Sequence, residues 1–389
     1  MADEKKIQKP KAKKLADPKK VTIDPASQEM IQRAHDLGIE TAFDRAVTMK
    51  PCNIGTQGIC CKNCGMGPCR LPLPKGGIEG EDDRKGICGA TPNTIAARNF
   101  IRMIAGGAAA HSDHGRSVAE VFLTAARKET DAYRIKDTQK LVAVARHLDV
   151  ATKVEIDGKK LDRDLDEVAL EVGEKAMNEW GKAGGELLYA KRAPTDRYNI
   201  WKKMGVVPRN IDREIVEIMH RTHIGVDQDY RNLMKQGTRA AIADGWGGSM
   251  LATDLQDILF GTPYPAVSEA NLGVMKEDMV NLVIHGHEPV LSEMIVAVSQ
   301  TKEMDEYAKS KGAKGIQLSG ICCSANEILQ RHGVPLCGTF LQQELAVITG
   351  ACDAMVVDIQ CIFQNLANVA KCFHTKLMTT HPIAKLEQD

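Results

Sequence analysis

Residues 280–287 read VNLVIHGH, residues 315–323 GIQLSGICC and residues 354–361 AMVVDIQC, each a short apolar run set between stretches of helical periodicity. Strands that alternate with helices form βαβ units, so residues 253–389 are expected to build a Rossmann-like parallel-sheet domain. Each run finishes in a side chain able to bind a metal, namely His287, Cys323 and Cys361. These stand 36 and 38 residues apart, which is the length of one βαβ unit each. In a parallel sheet the carboxyl ends of neighbouring strands converge on one crevice, which predicts a shared metal site for the three. Cysteine is also common inside buried strands. His285 and Cys322 stand close enough to exchange roles with their neighbours, because bending at strand ends blurs the alternation of faces. Cys337, Cys352 and Cys372 read as core or incidental thiols.

Upstream the texture is helical. Residues 94–110, 118–128, 164–180 and 213–220 repeat apolar side chains at three and four, and residues 23–50 continue that pattern, with Asp24 placed to cap a helix just before Pro25. Residues 21–252 are therefore expected to form a helical domain ahead of the α/β one. Residues 1–20 carry eight lysines with Pro10 and Pro18 among them, and read as a disordered, solvated arm. Residues 51–90 hold six cysteines and nine glycines with few large apolar side chains. Such a segment buries too little apolar surface to hold itself together, which points to an inorganic centre.

Its spacing is Cys52-x7-Cys60-Cys61-x2-Cys64-x4-Cys69, followed 19 positions later by Cys88. A tetrahedral zinc site needs four ligands, commonly as two matched pairs, but the second half offers no matching C-x2-C and the thiols number six. A cubane iron–sulfur cluster takes four thiolates from a compact loop, one of which can come from further away. Cys61, Cys64, Cys69 and Cys88 meet that requirement. Cys52 and Cys60 are then either half of a cluster site completed across a twofold axis, or spare thiols or a reversible disulfide. His111 and His114, spaced by three, share a helix face, as a surface pair or as the start of a proton path.

Composition narrows the classes. Lysine plus arginine and aspartate plus glutamate are 51 each, which argues against a nucleic-acid binder. No apolar run reaches about 18 residues, so no membrane span is expected. The lysine-rich start lacks the apolar stretch of a signal peptide, which places the expected location in the cytoplasm. There 12 cysteines favour metal or redox chemistry over disulfides.

Seven stretches carry a resemblance. PCNIGTQGICCKNCGMGPCRLP (51–72), KGICGAT (85–91), AAAHSDH (108–114), DILFGTPYPAVSEANLGV (257–274), VIHGHEPVLSE (283–293), GICCSANE (320–327) and VVDIQCI (356–362) occur in this order. Together they resemble the catalytic subunit of the nickel–iron–sulfur anaerobic carbon monoxide dehydrogenases, of the CO dehydrogenase/acetyl-CoA synthase type. The resemblance runs from about residue 21 to the last few residues. It implies an oxidoreductase that converts CO and water reversibly to CO2, two protons and two electrons. Cys61, Cys64, Cys69 and Cys88 match the ligands of the inner [4Fe–4S] cluster. Cys52 and Cys60 match the half-site of a [4Fe–4S] cluster shared across a homodimer. His287, Cys323 and Cys361 match three ligands of the nickel–iron–sulfur cluster. His111 matches the histidine that assists acid–base steps, and His114 the next in a path towards the surface.

The implied partners are a ferredoxin-type electron carrier and, in the reverse direction, an acetyl-CoA synthase subunit. Where related chains often place further histidines, this one has Ser117 and Glu120. The family's subunit also continues through a third α/β domain that supplies the remaining cluster cysteines and a lysine. This chain stops at Asp389, so that domain is expected to be absent and the cluster site only partly present. The competing reading is a non-catalytic, cluster-bearing fragment. A hydroxylamine reductase or hybrid-cluster protein shares the architecture distantly, but Cys60-Cys61 and the HGH strand end resemble the CO dehydrogenases more closely.

Overall fold

The computed structural model describes residues 14–156 and 159–387. The chain forms two units, Pro51–Tyr264 and a second one that joins the segment before Pro51 to Pro265–Asp389.

The second unit is built on a five-stranded parallel sheet. Its spatial order is Leu336–Gly338, Ile316–Ile321, Val280–His285, Ala354–Val357 and Lys376–Thr379. From the central strand Val280–His285 the chain winds to one side, then returns to build the other. The reversal therefore falls between Val280–His285 and Ala354–Val357, where Leu282 to His285 pair with Ala354 to Val357. In doubly wound sheets this is where ligands bind, outside the carboxyl ends of the strands. One core cluster packs Val283, Ile321, Met355 and Val357 against Leu345, Val347 and Leu366. Another holds Ile284, Leu318, Val296, Ile328 and Val334. Burial of each such side chain contributes about 1.5–3 kcal/mol.

The expected helical stretch over 23–50 is two helices that belong to this sheet unit rather than to the helical one. Pro25–Asp36 starts as expected, with Pro25 in its first turn and the Asp24 side chain accepting from the Ser27 amide. It breaks at Gly38, whose φ of 70° suits a helix end. Ala42–Thr48 follows, opened by a reciprocal cap between Thr41 and Asp44. Ile31 and Ala34, three apart, enter the core cluster beside Val283. Periodicity reveals that buried face but not what covers it, which is why the boundary expected at 252 fails to separate these helices. The lysine-rich arm falls largely outside the described residues. Its last part differs from expectation, because Ala16 donates its amide to the buried Asp44 at 2.8 Å. Pro18 opens the short helix Pro18–Val21 instead of interrupting one.

The helical unit is organised by one 35-residue helix, Pro92–Ala126, capped by Thr91. It packs against Leu165–Gly181, Ile211–Arg221 and Tyr230–Ile242. The separate helices expected over 94–110 and 118–128 are one, continuous through the polar stretch between them. Within that stretch Gly115 lets the helix approach the fully buried Trp180 ring, since a Cβ there would stand 2.6 Å from it. The last of these helices runs on through a π-helical segment, Ala243–Leu251, into Ala252–Phe260. A hairpin that periodicity does not reveal pairs Lys153–Ile156 with Lys159–Asp162. Among the described residues no helix is long and apolar enough to cross a membrane.

Candidate metal centres

In the helical unit Cys60–Cys61 and Cys69–Arg70 form a minimal antiparallel pair with Cys61 opposite Cys69. Cys64 lies in the connection, and Cys88 arrives on a turn closed by the Gly86 amide donating to the Ala90 carbonyl at 2.9 Å. Cys61, Cys64, Cys69 and Cys88 all line one small cavity, partly open to solvent. Asn63 and Arg98 share its wall. Two buried donors there, Asn63 Nδ2 and Arg98 Nε, have no hydrogen-bond partner among the described residues. Four thiols and two orphaned donors around one cavity fit an anionic sulfur-rich group, whose sulfurs accept hydrogen bonds. Burial opposes ionisation of Cys88, but the Ala90 amide, Arg98 and Gln228 outweigh it and hold that thiol below its ordinary range.

Cys52 and Cys60 lie outside that lining. Cys52 is exposed, and its sulfur accepts from the Gly55 amide at 3.4 Å. That bond, with a second from Ile54 and the charges of Arg70 and Lys62, lowers its pKa. None of the twelve cysteines is in a disulfide.

In the sheet unit the ligand candidates lie past the strand ends rather than finishing the strands. His287 is two residues beyond Val280–His285 and Cys361 four beyond Ala354–Val357, while Cys323 is the second residue of the helix Cys322–His332 that follows Ile316–Ile321. His287 and Cys361 thus follow the two strands between which the sheet reverses. Asp358 ties their loops together by accepting from the amides of His287 at 2.6 Å and Glu288 at 3.1 Å, and from that of Ile359. Burial pushes the Asp358 carboxyl up to about 6 against the pull of these amides. Gly286 has a φ of 141°, and a Cβ on it would overlap the Asp358 carboxylate at 1.6 Å.

The His287 ring is oriented by Nδ1, which donates to the Ile359 carbonyl at 3.1 Å and so leaves the lone pair on Nε2, the usual arrangement of a metal-binding imidazole. Cys322, Gln360 and Cys361 hold φ values of 69°, 64° and 56°. Left-handed backbone at non-glycine residues costs on the order of 1–3 kcal/mol each and gathers at functional sites. Burial, then the nearby Cys361 and Cys323, push the Cys322 thiol up to about 12. Cys323 is raised likewise, by burial and by Glu327, Cys361 and Asp358. A metal binds the deprotonated thiolate, so a bound cationic core would offset the cost of ionising these thiols. His285 is fully buried, its Nε2 donates to Gln343 Oε1 at 3.2 Å, and burial lowers its pKa to about 4, while its Nδ1 has no hydrogen-bond partner among the described residues.

His111 and His114 both sit on Pro92–Ala126. His111 Nδ1 meets Asp244 Oδ1 at 2.6 Å, and this bond raises the imidazole pKa against the opposing effect of burial. Asp244 comes from the π-helical segment. His114 Nε2 accepts from the Gln256 amide group at 3.4 Å. Among the described residues no three His, Cys, Asp or Glu side chains converge to hold a single ion. A cubane carries each thiolate on a different iron, so its ligands stand apart instead of converging.

A family model, Prismane/CO dehydrogenase, matches residues 59–388. The chain belongs to the Prismane/CO dehydrogenase family. It is 52% identical over 365 residues to carbon monoxide dehydrogenase 1 of Methanosarcina acetivorans, covering 93% of this chain and 56% of that one. It is 44% identical to the carbon monoxide dehydrogenase/acetyl-CoA synthase subunit beta of Moorella thermoacetica, covering 94% and 52%. Among solved structures it superposes on a nickel-free carbon monoxide dehydrogenase of Thermococcus sp. AM4 with a TM-score of 0.87 at 47% identity, covering 99% of this chain and 58% of that one. It also superposes on an acetyl-CoA synthase/carbon monoxide dehydrogenase with NiZn[Fe4S4] and NiNi[Fe4S4] clusters in its alpha subunits, with a TM-score of 0.86 at 44% identity, covering 97% and 54%. The chain spans slightly more than half the length of these relatives.

Within this family framework, sequence reasoning missed Arg98, Asp244, Gln343 and Asp358. Gln343 donates to the Cys361 carbonyl at 2.9 Å and accepts from the Phe363 amide at 2.8 Å, which holds the cysteine's loop. Asp244 and Gln343 lie 133 and 18 residues from the groups they position, and no local pattern marks such pairs.

Proposed function

We propose that this chain serves the reversible oxidation of CO with water to CO2, two protons and two electrons. The observation that carries this reading is the placement of His287, Cys323 and Cys361 beyond three adjoining strands, with His287 and Cys361 at the sheet's reversal, in a member of a CO dehydrogenase family. These residues would hold part of a nickel–iron–sulfur cluster, and Cys61, Cys64, Cys69 and Cys88 a [4Fe–4S] cluster. Such a cluster pair supplies a soft metal for CO, an acidified water and a store for the electrons. The protein's own residues do the rest. The Ile359 carbonyl keeps the His287 proton on Nδ1, and Gly286 lets the backbone close over Asp358 so that both loops stay in register. Asp244 holds His111 as a stronger base, suited to accept a proton at Nε2 and pass it towards His114.

Three side chains do not complete the nickel-bearing cluster, so its remaining ligands lie beyond those named here. Cys52 and Cys60 would provide two ligands each from two copies of the chain to a cluster on the dimer axis. Electrons would leave from there to a ferredoxin-type carrier, and the reverse reaction would feed CO to an acetyl-CoA synthase subunit. Iron and nickel per chain, measured on protein purified without oxygen, test the reading. About six irons correspond to the inner cluster plus half the shared one, and about ten with one nickel to a built active-site cluster. Zinc in place of iron in the four-thiol cavity refutes it.

A further inference from the structure

Arg98 is 1% exposed, on the second turn of Pro92–Ala126. Its Nη2 donates to the Asp227 carbonyl at 2.7 Å, its Nη1 reaches Cys88 Sγ at 3.7 Å, and its Nε has no hydrogen-bond partner among the described residues. Among the described residues none of its contacts is to a carboxylate. A guanidinium withdrawn from water without a counter-charge is costly, so proteins keep one only where an anion faces it. The surface it faces is the cavity of Cys61, Cys64, Cys69 and Cys88. The inferred anion is therefore the thiolate-ligated cluster itself.

We infer that Arg98 is the built-in counter-ion of the inner cluster and sets its reduction potential, holding it higher than the four thiolates alone would. The inference rests on the proposed [4Fe–4S] occupancy of this cavity. Reduction adds one electron to an already anionic cluster, so a fixed buried cation favours the reduced form. Net charge and hydrogen bonds to the sulfurs are the main levers on such potentials. Burial keeps mobile ions from screening the interaction. Arg98 is thus a positioning and tuning residue and takes no part in ligation. Arg102, one turn further along, is partly exposed and bonds instead to Thr222 Oγ1 at 2.7 Å, so it serves as the control charge.

The test is a redox titration of the full chain followed by electron paramagnetic resonance, on wild type, Arg98→Lys, Arg98→Gln, Arg98→Met and Arg102→Gln. At the potential where wild type is half reduced, the two neutral Arg98 variants should show a reduced-to-oxidised ratio roughly tenfold lower, or about 59 mV for a one-electron couple. Arg98→Lys and Arg102→Gln should stay within about twofold of wild type. If both neutral variants purify without the four-iron signal while Arg98→Lys keeps it, the cation is needed to hold the cluster at all, which also supports the inference. Neutral variants that keep the cluster at the wild-type potential overturn it. A wild-type protein with no four-iron cluster fails the occupancy reading instead, and iron content separates the two.

Discussion

Replacing Gly286 by alanine puts a methyl group where the protein already has a carboxylate. The ideal Cβ lies 1.6 Å from Asp358 Oδ1 and 2.4 Å from its Cγ, and the φ of 141° is one that side-chain-bearing residues rarely adopt. The backbone conformation alone costs on the order of 1–3 kcal/mol. To relieve the overlap Asp358 must swing away and give up at least one amide bond, from His287 at 2.6 Å or Glu288 at 3.1 Å. Each such bond to an ionised acceptor contributes about 1.5–3 kcal/mol. The sum is about 2.5–6 kcal/mol, at or above the upper end for most single substitutions. Hydrogen exchange of the amides in Val280–His285 and Ala354–Val357 reads this loss directly, and protection there should fall by roughly a hundredfold or more. Trp180, Trp201 and Trp246 all lie in the other unit, so tryptophan fluorescence offers an internal control that should not change. Protection within about threefold of wild type in those strands refutes the argument that Asp358 and Gly286 lock the two loops.

Three further outcomes are expected. Cys64→Ala should abolish the inner cluster's electron paramagnetic signal, and a retained four-iron signal refutes that ligand assignment. Cys52→Ser should remove about two irons per chain with the inner signal intact, and an unchanged iron count refutes the twofold half-site. Asp244→Asn should lower the His111 pKa in an NMR titration, because the bond to Asp244 is the main cause of its elevation. The sign follows from linkage. A histidine raised above its unfolded value adds stability that is present in full below that value and lost as pH rises through the folded one. The variant should therefore lose stability mainly at acid pH, and equal losses at acid and alkaline pH refute the ion pair.

Much of the architecture was legible before any coordinates. The runs VNLVIHGH, GIQLSGICC and AMVVDIQC each contain a strand of the parallel sheet, because short apolar runs between amphipathic stretches fit little else. Their ends were less legible. The strands stop at His285, Ile321 and Val357, since beyond these points the backbone turns left-handed or bonds to Asp358. Helices over 94–110 and 118–128 read as two because the polar residues from His111 to Ser117 interrupt the apolar pattern. In the structure they are one helix, which packs against Trp180 at Gly115.

The sequence by itself determined which atoms are available for chemistry. The spacing of Cys61, Cys64, Cys69 and Cys88, and the histidine and cysteines that follow three strands, are local patterns one chain can display. Tertiary structure alone decided what surrounds them. It buried His285 and left His287 beside the reversal of the sheet, brought Asp244 to His111, and set Arg98, with no carboxylate contact among the described residues, against the four thiols. The physical reason is that ligation follows from residue type and spacing, whereas orientation, desolvation and electric field depend on groups brought close only by the packed fold.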